Sequence, residues 1–394
     1  MAVATDLIYL DFAATTPLAP EVAERMREVQ ANAWFNPSSN HIGGRKSAAL
    51  VRFAAEQLAS LLNADSASFL WTSGATESNN LAIMGAARQR EHRGKHLLTM
   101  RTEHKAVVDA FRALEKQGFD VTWLEPDTNG LLPIERFAAA LRDDTQLASI
   151  MHVNNETGAI QDIAAIGDVC KRHDVVLHVD GAQATGKIRV DLTALPVDLY
   201  SLTAHKFYGP KGVGALFVRE GTPILPLMFG GGQQRRLRPG TLPVDLIAGL
   251  GQAAQIAAAN IDADLANLER LKGRLLAGIQ EVAGLHINGP EQGAYPGILN
   301  VGLDDVEGES LLLALEPLCV ATGSACNSRS QEPSYVLRAL GRSDREAQSA
   351  IRFSLGRPTS TEEIDTAVSR YCEGVTKLRT LAPKMLKRAG SHEQ

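Results

Sequence analysis

The sequence predicts an α/β protein in which a large, mostly parallel sheet, covered by helices on both faces, is joined to a smaller α+β unit. Three observations carry that expectation. Between residues 67 and 218 short apolar runs alternate with helix-period segments. After Pro243 the alternation gives way to one long helical face. The composition, 44% hydrophobic against 22% charged, is that of a globular chain with a sizeable core. Parallel strands need crossover helices, so strict alternation favours the parallel arrangement. Ligands of such sheets bind beyond the carboxyl ends of the strands.

Taken in order, the runs at 67–71, 96–100, 121–124, 147–153, 175–179, 199–203 and 214–218 are short and mostly aliphatic or β-branched, as strands are. The segments 76–90, 106–117, 134–141 and 163–171 repeat apolar residues every three or four positions and predict helices. Ile261, Leu265, Leu268, Leu271, Leu275, Ile279 and Val282 then mark one face of a long helix bridging the two units. Beyond it, 298–301 and 351–354 predict strands and 310–315 a helix. Gly and Pro collect at 230–234 and 238–241, which predict loops. The expected division places residues 15–260 in the large unit and 1–14 with 261–394 in the small one.

Composition narrows the function classes. Among 394 residues, 40 Lys and Arg face 45 Asp and Glu, a net charge of −5, where a nucleic-acid binder would normally carry a basic excess. No apolar run approaches the ~18 residues of a membrane span. Residues 1–6 lack the charged and apolar regions of a signal peptide. The four cysteines (Cys170, Cys319, Cys326 and Cys372) are too few for a disulfide scaffold and form no Cys-x-x-Cys. A soluble, reduced, cytoplasmic protein without direct nucleic-acid or membrane contact is expected.

Four segments could carry chemistry. Leu70-Trp-Thr-Ser-Gly-Ala-Thr-Glu77 sets a glycine and three hydroxyls where a strand passes into a helix, a start that favours a phosphate-like anion or serves only as a hydroxyl-rich cap. Val175-Val-Leu-His-Val-Asp180 closes a strand in an acid that could pair with a cationic ring nitrogen, bind a metal with His178, or bond a neighbouring turn. No further Cys or His cluster accompanies that pair, so no metal is expected. Ser201-Leu-Thr-Ala-His-Lys206 ends a strand in a lysine that is either a solvated charge or an amine able to form a Schiff base. An anion-binding helix start, a strand-end Asp and a strand-end Lys, in that order, are what pyridoxal phosphate requires. Last, Ala321-Thr-Gly-Ser-Ala-Cys326-Asn-Ser surrounds one thiol with small residues, as suits an exposed loop better than a core. Cys170 and Cys319 fit buried positions instead.

With these motifs in place the chain resembles the NifS/IscS family of cysteine desulfurases, most closely the IscS type, within the class V aminotransferase group of fold-type-I pyridoxal phosphate enzymes. The resemblance runs from Leu10-Asp-Phe-Ala-Ala-Thr-Thr-Pro17 to Ile351-Arg-Phe-Ser-Leu-Gly356. Its internal marks include Asn36-Pro-Ser-Ser39, Thr102-Glu-His-Lys105, His152-Val-Asn-Asn-Glu-Thr-Gly158 and Glu332-Pro-Ser-Tyr335. It implies that Lys206 holds the cofactor covalently, that Asp180 pairs with its ring nitrogen, and that His104 stacks on the ring and helps move protons. Gln183 would bond the phenolic oxygen, while Ala75, Thr76, Thr203 and His205 would hold the phosphate. Asn155 and Arg352 would receive the substrate carboxylate, and Cys326 would be the persulfide-forming nucleophile. A homodimer is implied as well, in which the loop at 235–241 crosses the two-fold axis and Thr241 completes the partner's phosphate site.

The activity so implied converts L-cysteine to L-alanine and delivers sulfur to acceptors such as an iron–sulfur scaffold, a tRNA-thiolating protein or a DNA-modifying one. A selenocysteine lyase or aminotransferase on the same frame, or a sulfur-delivery scaffold with weak turnover alone, are the alternatives. The chain departs from the family pattern at Ala321, Thr322 and Asn327 in the thiol loop. Thr203 stands where Ser is usual, and Gln233-Gln234 where His-Glu is usual.

Overall fold

The structure, a computed structural model, describes residues 7–303, 305–322 and 332–389, with side chains as far as residue 381. Seven strands form the large sheet in the order Phe69–Thr72, Gly214–Val218, Leu199–Thr203, Val176–Asp180, Thr145–Met151, His96–Met100 and Asp120–Leu124. Gly214–Val218 is antiparallel to both neighbours and every other pairing is parallel. Six strands therefore deliver their carboxyl ends to one rim. The central strands are buried along their whole length, because helices cover both faces.

Successive strand residues feed opposite cores. Leu97, Leu147, Val176 and Leu199 pack with Leu81, Ile83 and Phe111 on one face. Leu98, Ala148, Leu177 and Tyr200 pack with Leu58, Ile166 and Ile247 on the other. Polar residues inside the sheet satisfy one another. His178 bonds Ser149 Oγ at 2.7 Å and Ser201 Oγ at 2.9 Å, one with each ring nitrogen. Burial pushes its pKa down to about 3, so it is a neutral bridge between strands. No group of three or more possible metal ligands occurs among the described residues.

The strand expected at 147–153 runs instead from Thr145 to Met151. The carboxyl of Glu103 accepts the Met151 N–H at 2.7 Å, which takes that donor out of the ladder. The long helix begins well before its predicted start, at Val244, and ends at Ile279. Its first half is rich in Ala and Gly, which lets it pack closely on the helix Ile42–Leu62. That helix, with Pro20–Asn32 and Thr361–Ala389, lies outside the elements expected from the sequence.

A second, antiparallel sheet orders Ala321–Thr322, Ile351–Ser354, Ile298–Leu303 and Leu285–Ile287. The strand Ile8–Tyr9 pairs in parallel with Leu318–Cys319, and Asp11 bridges to Ser354. We propose that the large and small units divide near residue 260. That point lies inside the long helix, whose later turns contact Thr361–Ala389 and pair Arg274 with Asp365. No described helix is long and apolar enough to cross a membrane.

The helix pair Ile42–Leu62 and Val244–Ile279 gives a stability prediction. A Cβ on Gly251 would stand 2.7 Å from the Ala54 Cα, so the two backbones touch there. Gly251→Val should push them apart and cost about 2 kcal/mol, read as a lower urea midpoint at unchanged slope. Gly273 lies on the same helix with nothing within 4 Å of its added Cβ, and Gly273→Ala should stabilise by about 0.5–1 kcal/mol.

Candidate active site

At the carboxyl rim of the large sheet lies a cavity of about 570 Å³. Its wall is built from the segments leaving five strands, one of them Thr145–Met151, which leads through Val153 to Asn155, together with contributions from elsewhere in the chain. Phe69–Thr72 leads through Ser73 and Gly74 into the helix Ala75–Gln89. His96–Met100 leads to His104, Val176–Asp180 ends on Asp180 and turns through Gln183, and Leu199–Thr203 leads to His205 and Lys206. Arg352 enters from the small sheet, and the backbone of residues 13–15 crosses from the N-terminal strand. Ala75, Thr76, His104, Asn155, Asp180, Gln183, Thr203, His205, Lys206 and Arg352 all line this one space.

The helix start is shaped to receive an anion. Its first residue follows Gly74, at φ 152°, and no side chain caps it. The first N–H groups of a helix have no intrahelical acceptor and carry its positive end. A Cβ on Gly74 would lie 3.5 Å from Thr203 Oγ1, and one on Gly214 would lie 2.7 Å from the Gly74 Cα. Glycine at both positions lets the helix start press against the sheet beside Thr203. The adjoining loop is held by Glu77, which accepts from Arg238 Nε at 2.7 Å and from the Ser73 N–H at 2.6 Å. Burial raises the Glu77 pKa, but these donors outweigh it and hold the carboxyl below its ordinary range.

Asp180 is 4% exposed and accepts from Asn79 Nδ2 at 2.7 Å and from the Ala182 N–H at 3.0 Å. Both donors are neutral, and no ion pair joins Asp180 to a cation among the described residues. Beside it, burial pushes the Glu103 carboxyl well above the usual range, and the charge of Asp180 pushes it further. His104 caps the helix Lys105–Glu115, its Nδ1 accepting from the Ala106 N–H at 3.2 Å, so in the neutral ring the proton is on Nε2. Burial lowers its pKa, with Lys206 adding to the effect and Asp180 opposing it.

Lys206 Nζ donates to the carbonyls of Ala13 and Ala14. Gln183 Nε2 donates to Ala13 O at 2.7 Å, while its Oε1 accepts from Lys187. His205 Nδ1 meets Thr15 Oγ1 at 3.1 Å, and burial with the nearby Lys206, Lys211 and Lys187 pushes its pKa down to about 4. The Arg352 side chain is 6% exposed. Its Nη1 donates to Asn155 O at 2.9 Å and its Nη2 to Asp11 Oδ1 at 2.6 Å, while its Nε is buried with no partner among the described residues.

One expected site residue stands apart from the cavity. Thr241 is exposed and lines a separate groove of about 370 Å³ with Trp34 and Phe35. Cys326 lies outside the described residues. The structure adds Asn79, Glu103, Glu156, Lys187 and Asp11. Asn79, 1% exposed in a helix beside Leu81 and Ile83, has a sequence signal in hindsight, since a buried amide needs a polar partner. Glu103, Glu156 and Asp11 sit inside marks of the resemblance and Lys187 four residues beyond Gln183, with no local pattern to assign their roles.

The site's chemistry suits a phosphate-bearing, cationic aromatic group: an uncapped helix start for the anion and a cation-free carboxylate for a ring nitrogen. It also provides an amine for a carbonyl. The class-V aminotransferase family model matches residues 8–367. The cysteine desulfurase IscS of Methylococcus capsulatus is 52% identical over 380 residues, covering 95% of this chain and 94% of the relative. A solved NifS-like protein superposes with a TM-score of 0.88 at 34% identity, covering 94% of this chain and all of that one. A structure of SspA in complex with cysteine gives 0.80 at 37% identity, covering 88% and 98%. The family depends in general on pyridoxal phosphate. On the match over nearly its whole length, the chain belongs to the class-V aminotransferases and, within them, to the NifS/IscS cysteine desulfurases.

Proposed function

We propose that the chain converts L-cysteine to L-alanine with pyridoxal phosphate and keeps the sulfur as a persulfide on Cys326. The observation that carries this is Asp180, a buried carboxylate whose donors among the described residues are neutral, sharing a cavity with Lys206. When bound, pyridoxal phosphate supplies an electron sink for bonds at the substrate's α-carbon. Ala75, Thr76, Thr203 and His205 would hold the phosphate, Asp180 would hold a proton on the ring nitrogen, and Gln183 would bond the ring oxygen. The Lys206 amine would hold the carbonyl carbon of the cofactor and, when free, would move protons at the substrate's α-carbon. His104, kept neutral by burial, holds its proton at Nε2. Arg352 and Asn155 take the substrate carboxylate. The Cys326 thiolate attacks the substrate sulfur; the S–S bond forms as the C–S bond breaks, and the carbon takes up a proton to leave as alanine.

Lys206→Ala should lose both the visible absorbance of the bound cofactor and turnover. Cys326→Ser should bind cofactor and cysteine but release no alanine, since serine is a far weaker nucleophile near neutrality, whereas Cys170→Ser and Cys372→Ser should turn over normally. Mass spectrometry of the wild-type protein after cysteine should place one added sulfur on Cys326. Wild-type alanine release from Cys326→Ser would overturn the assignment in favour of simple amino-group chemistry.

The active form in this reading is a cytoplasmic homodimer that passes sulfur to an acceptor thiol, such as that of an iron–sulfur scaffold. Trp34 (74%), Ile42 (79%) and Phe229 (88%) are exposed large apolar side chains, and Thr241 shares its groove with Trp34. Sedimentation should give a dimer at dilute concentration; an active monomer would refute it. Sulfide release rising with an added acceptor would mark a delivery enzyme.

Stability should respond to Glu156. It is buried beside Arg352, accepts from Ser334 Oγ at 2.6 Å, and burial raises its pKa to about 7. Between the ordinary value of 4.5 and about 7 the folded state binds the extra proton, so its contribution to stability is lost as pH rises through that window. Glu156→Gln should remove this slope, measured as the difference in urea midpoint from the wild type at pH 5 and pH 7.5.

A further inference from the structure

Residues 11–16 form a strap that bonds several polar side chains of the cavity wall. Ala13 and Ala14 offer carbonyls to Lys206, Ala13 also receives Gln183, and Thr15 meets His205. The strap's first side chain is Asp11, whose carboxylate takes Arg352 Nη2. We propose that Asp11 is a positioning residue for the substrate carboxylate: it holds the Arg352 guanidinium from behind, with the fork set to receive that carboxylate.

Three observations support this. Asp11 is not among the residues lining the cavity, whereas Arg352 is, so the pair is reached from the Arg352 side. The guanidinium is fixed at two points by distant parts of the chain, Asp11 on the N-terminal segment and the Asn155 carbonyl after the strand Thr145–Met151. A free arginine would lose rotamer freedom on binding, and one already held does not. Third, Arg352 Nε remains buried without a partner among the described residues. An unmet buried donor costs free energy that an incoming carboxylate recovers, and a guanidinium edge receives a carboxylate through two parallel bonds. The other acid near Arg352, Glu156, is engaged by Ser334 and does not compete.

The inference rests on the cysteine desulfurase reading for its substrate, and its test includes binding as well as turnover. In the cofactor-loaded enzyme, Asp11→Ala should raise the KM for L-cysteine by about tenfold while kcat changes by less than about twofold, because the loss is one of carboxylate binding. L-alanine, followed by its effect on the visible spectrum, should lose affinity by the same factor. Ethylamine, which has no carboxylate, should bind both proteins alike. Asp11→Glu should recover most of the loss, and Asp11→Asn, keeping an acceptor without the charge, should fall between. Unchanged KM and L-alanine affinity, tighter L-alanine binding, or an equal loss for ethylamine would overturn the proposal. A wild type that binds L-alanine but does not turn over cysteine would refute the desulfurase reading and leave the role of Asp11 standing.

Discussion

A buried carboxylate with no cation paired to it among the described residues organises this molecule. Asp180 closes a central parallel strand where burial makes an unbalanced charge costly, and the chain lowers that cost with two neutral donors, Asn79 and the Ala182 amide. Asn79 reaches it because the helix Ala75–Gln89 starts hard against the rim, which the contact of Gly74 with Gly214 permits. The same close approach puts the helix start beside Thr203. Burial, with the charge of Asp180 beside it, also pushes the Glu103 carboxyl towards its protonated form. Anion site and cation site are thus consequences of one packing arrangement.

The cavity has a second set of walls from the opposite ends of the chain, and these are held by paired charges. Arg352 bonds Asp11 across 341 residues of sequence. Arg357 takes Asp264 of the long helix through three bonds of 2.7–3.0 Å, and its guanidinium lies 4.7 Å from the centre of the Tyr208 ring. The Tyr208 hydroxyl also accepts the Arg357 N–H at 2.6 Å. The turn after Lys206 is therefore clamped by the small unit. These groups are half-buried, where a bidentate pair is worth more than an exposed one.

The parallel sheet was legible because its strands are continuous apolar runs separated by periodic helices, and ten of the expected site residues meet in one cavity because each sits at or just beyond a strand end or on the small sheet. The helices Pro20–Asn32 and Ile42–Leu62 were harder to see. Their buried faces are sparse, Val22 and Val29 in one and small residues with Leu58 and Leu62 in the other, so close packing on the long helix supplies what periodicity does not. The early start of that helix was hidden for the same reason, since Gly249 and Gly251 look like breakers but serve as contact points. Asp11 and Asn79 act through partners more than a hundred or three hundred residues away, and no local pattern encodes that.

The departure at Gln233-Gln234 has a physical sense of its own. Phe69–Thr72 is an edge strand, and an edge leaves backbone donors and acceptors open. The Gln234 amide answers both: its Oε1 accepts the Trp71 N–H, and its Nε2 donates to Trp71 O at 3.0 Å and to Arg238 O at 3.2 Å. A glutamate could accept from Trp71 but, once ionised, could not donate. Gln233 Oε1 meanwhile accepts the Gly240 N–H at 3.1 Å, drawing the loop closed. These bonds offset backbone strain at Gln234, Arg235 and Arg236, whose φ values of 44°, 58° and 62° lie in the left-handed region, at about 1 kcal/mol or more for each. With the loop fixed in this way, Arg238 meets Glu77 at the helix start, while Arg235 and Arg236 face solvent. The amide thus couples an exposed basic turn to the anion-binding end of the cavity through the edge of the sheet.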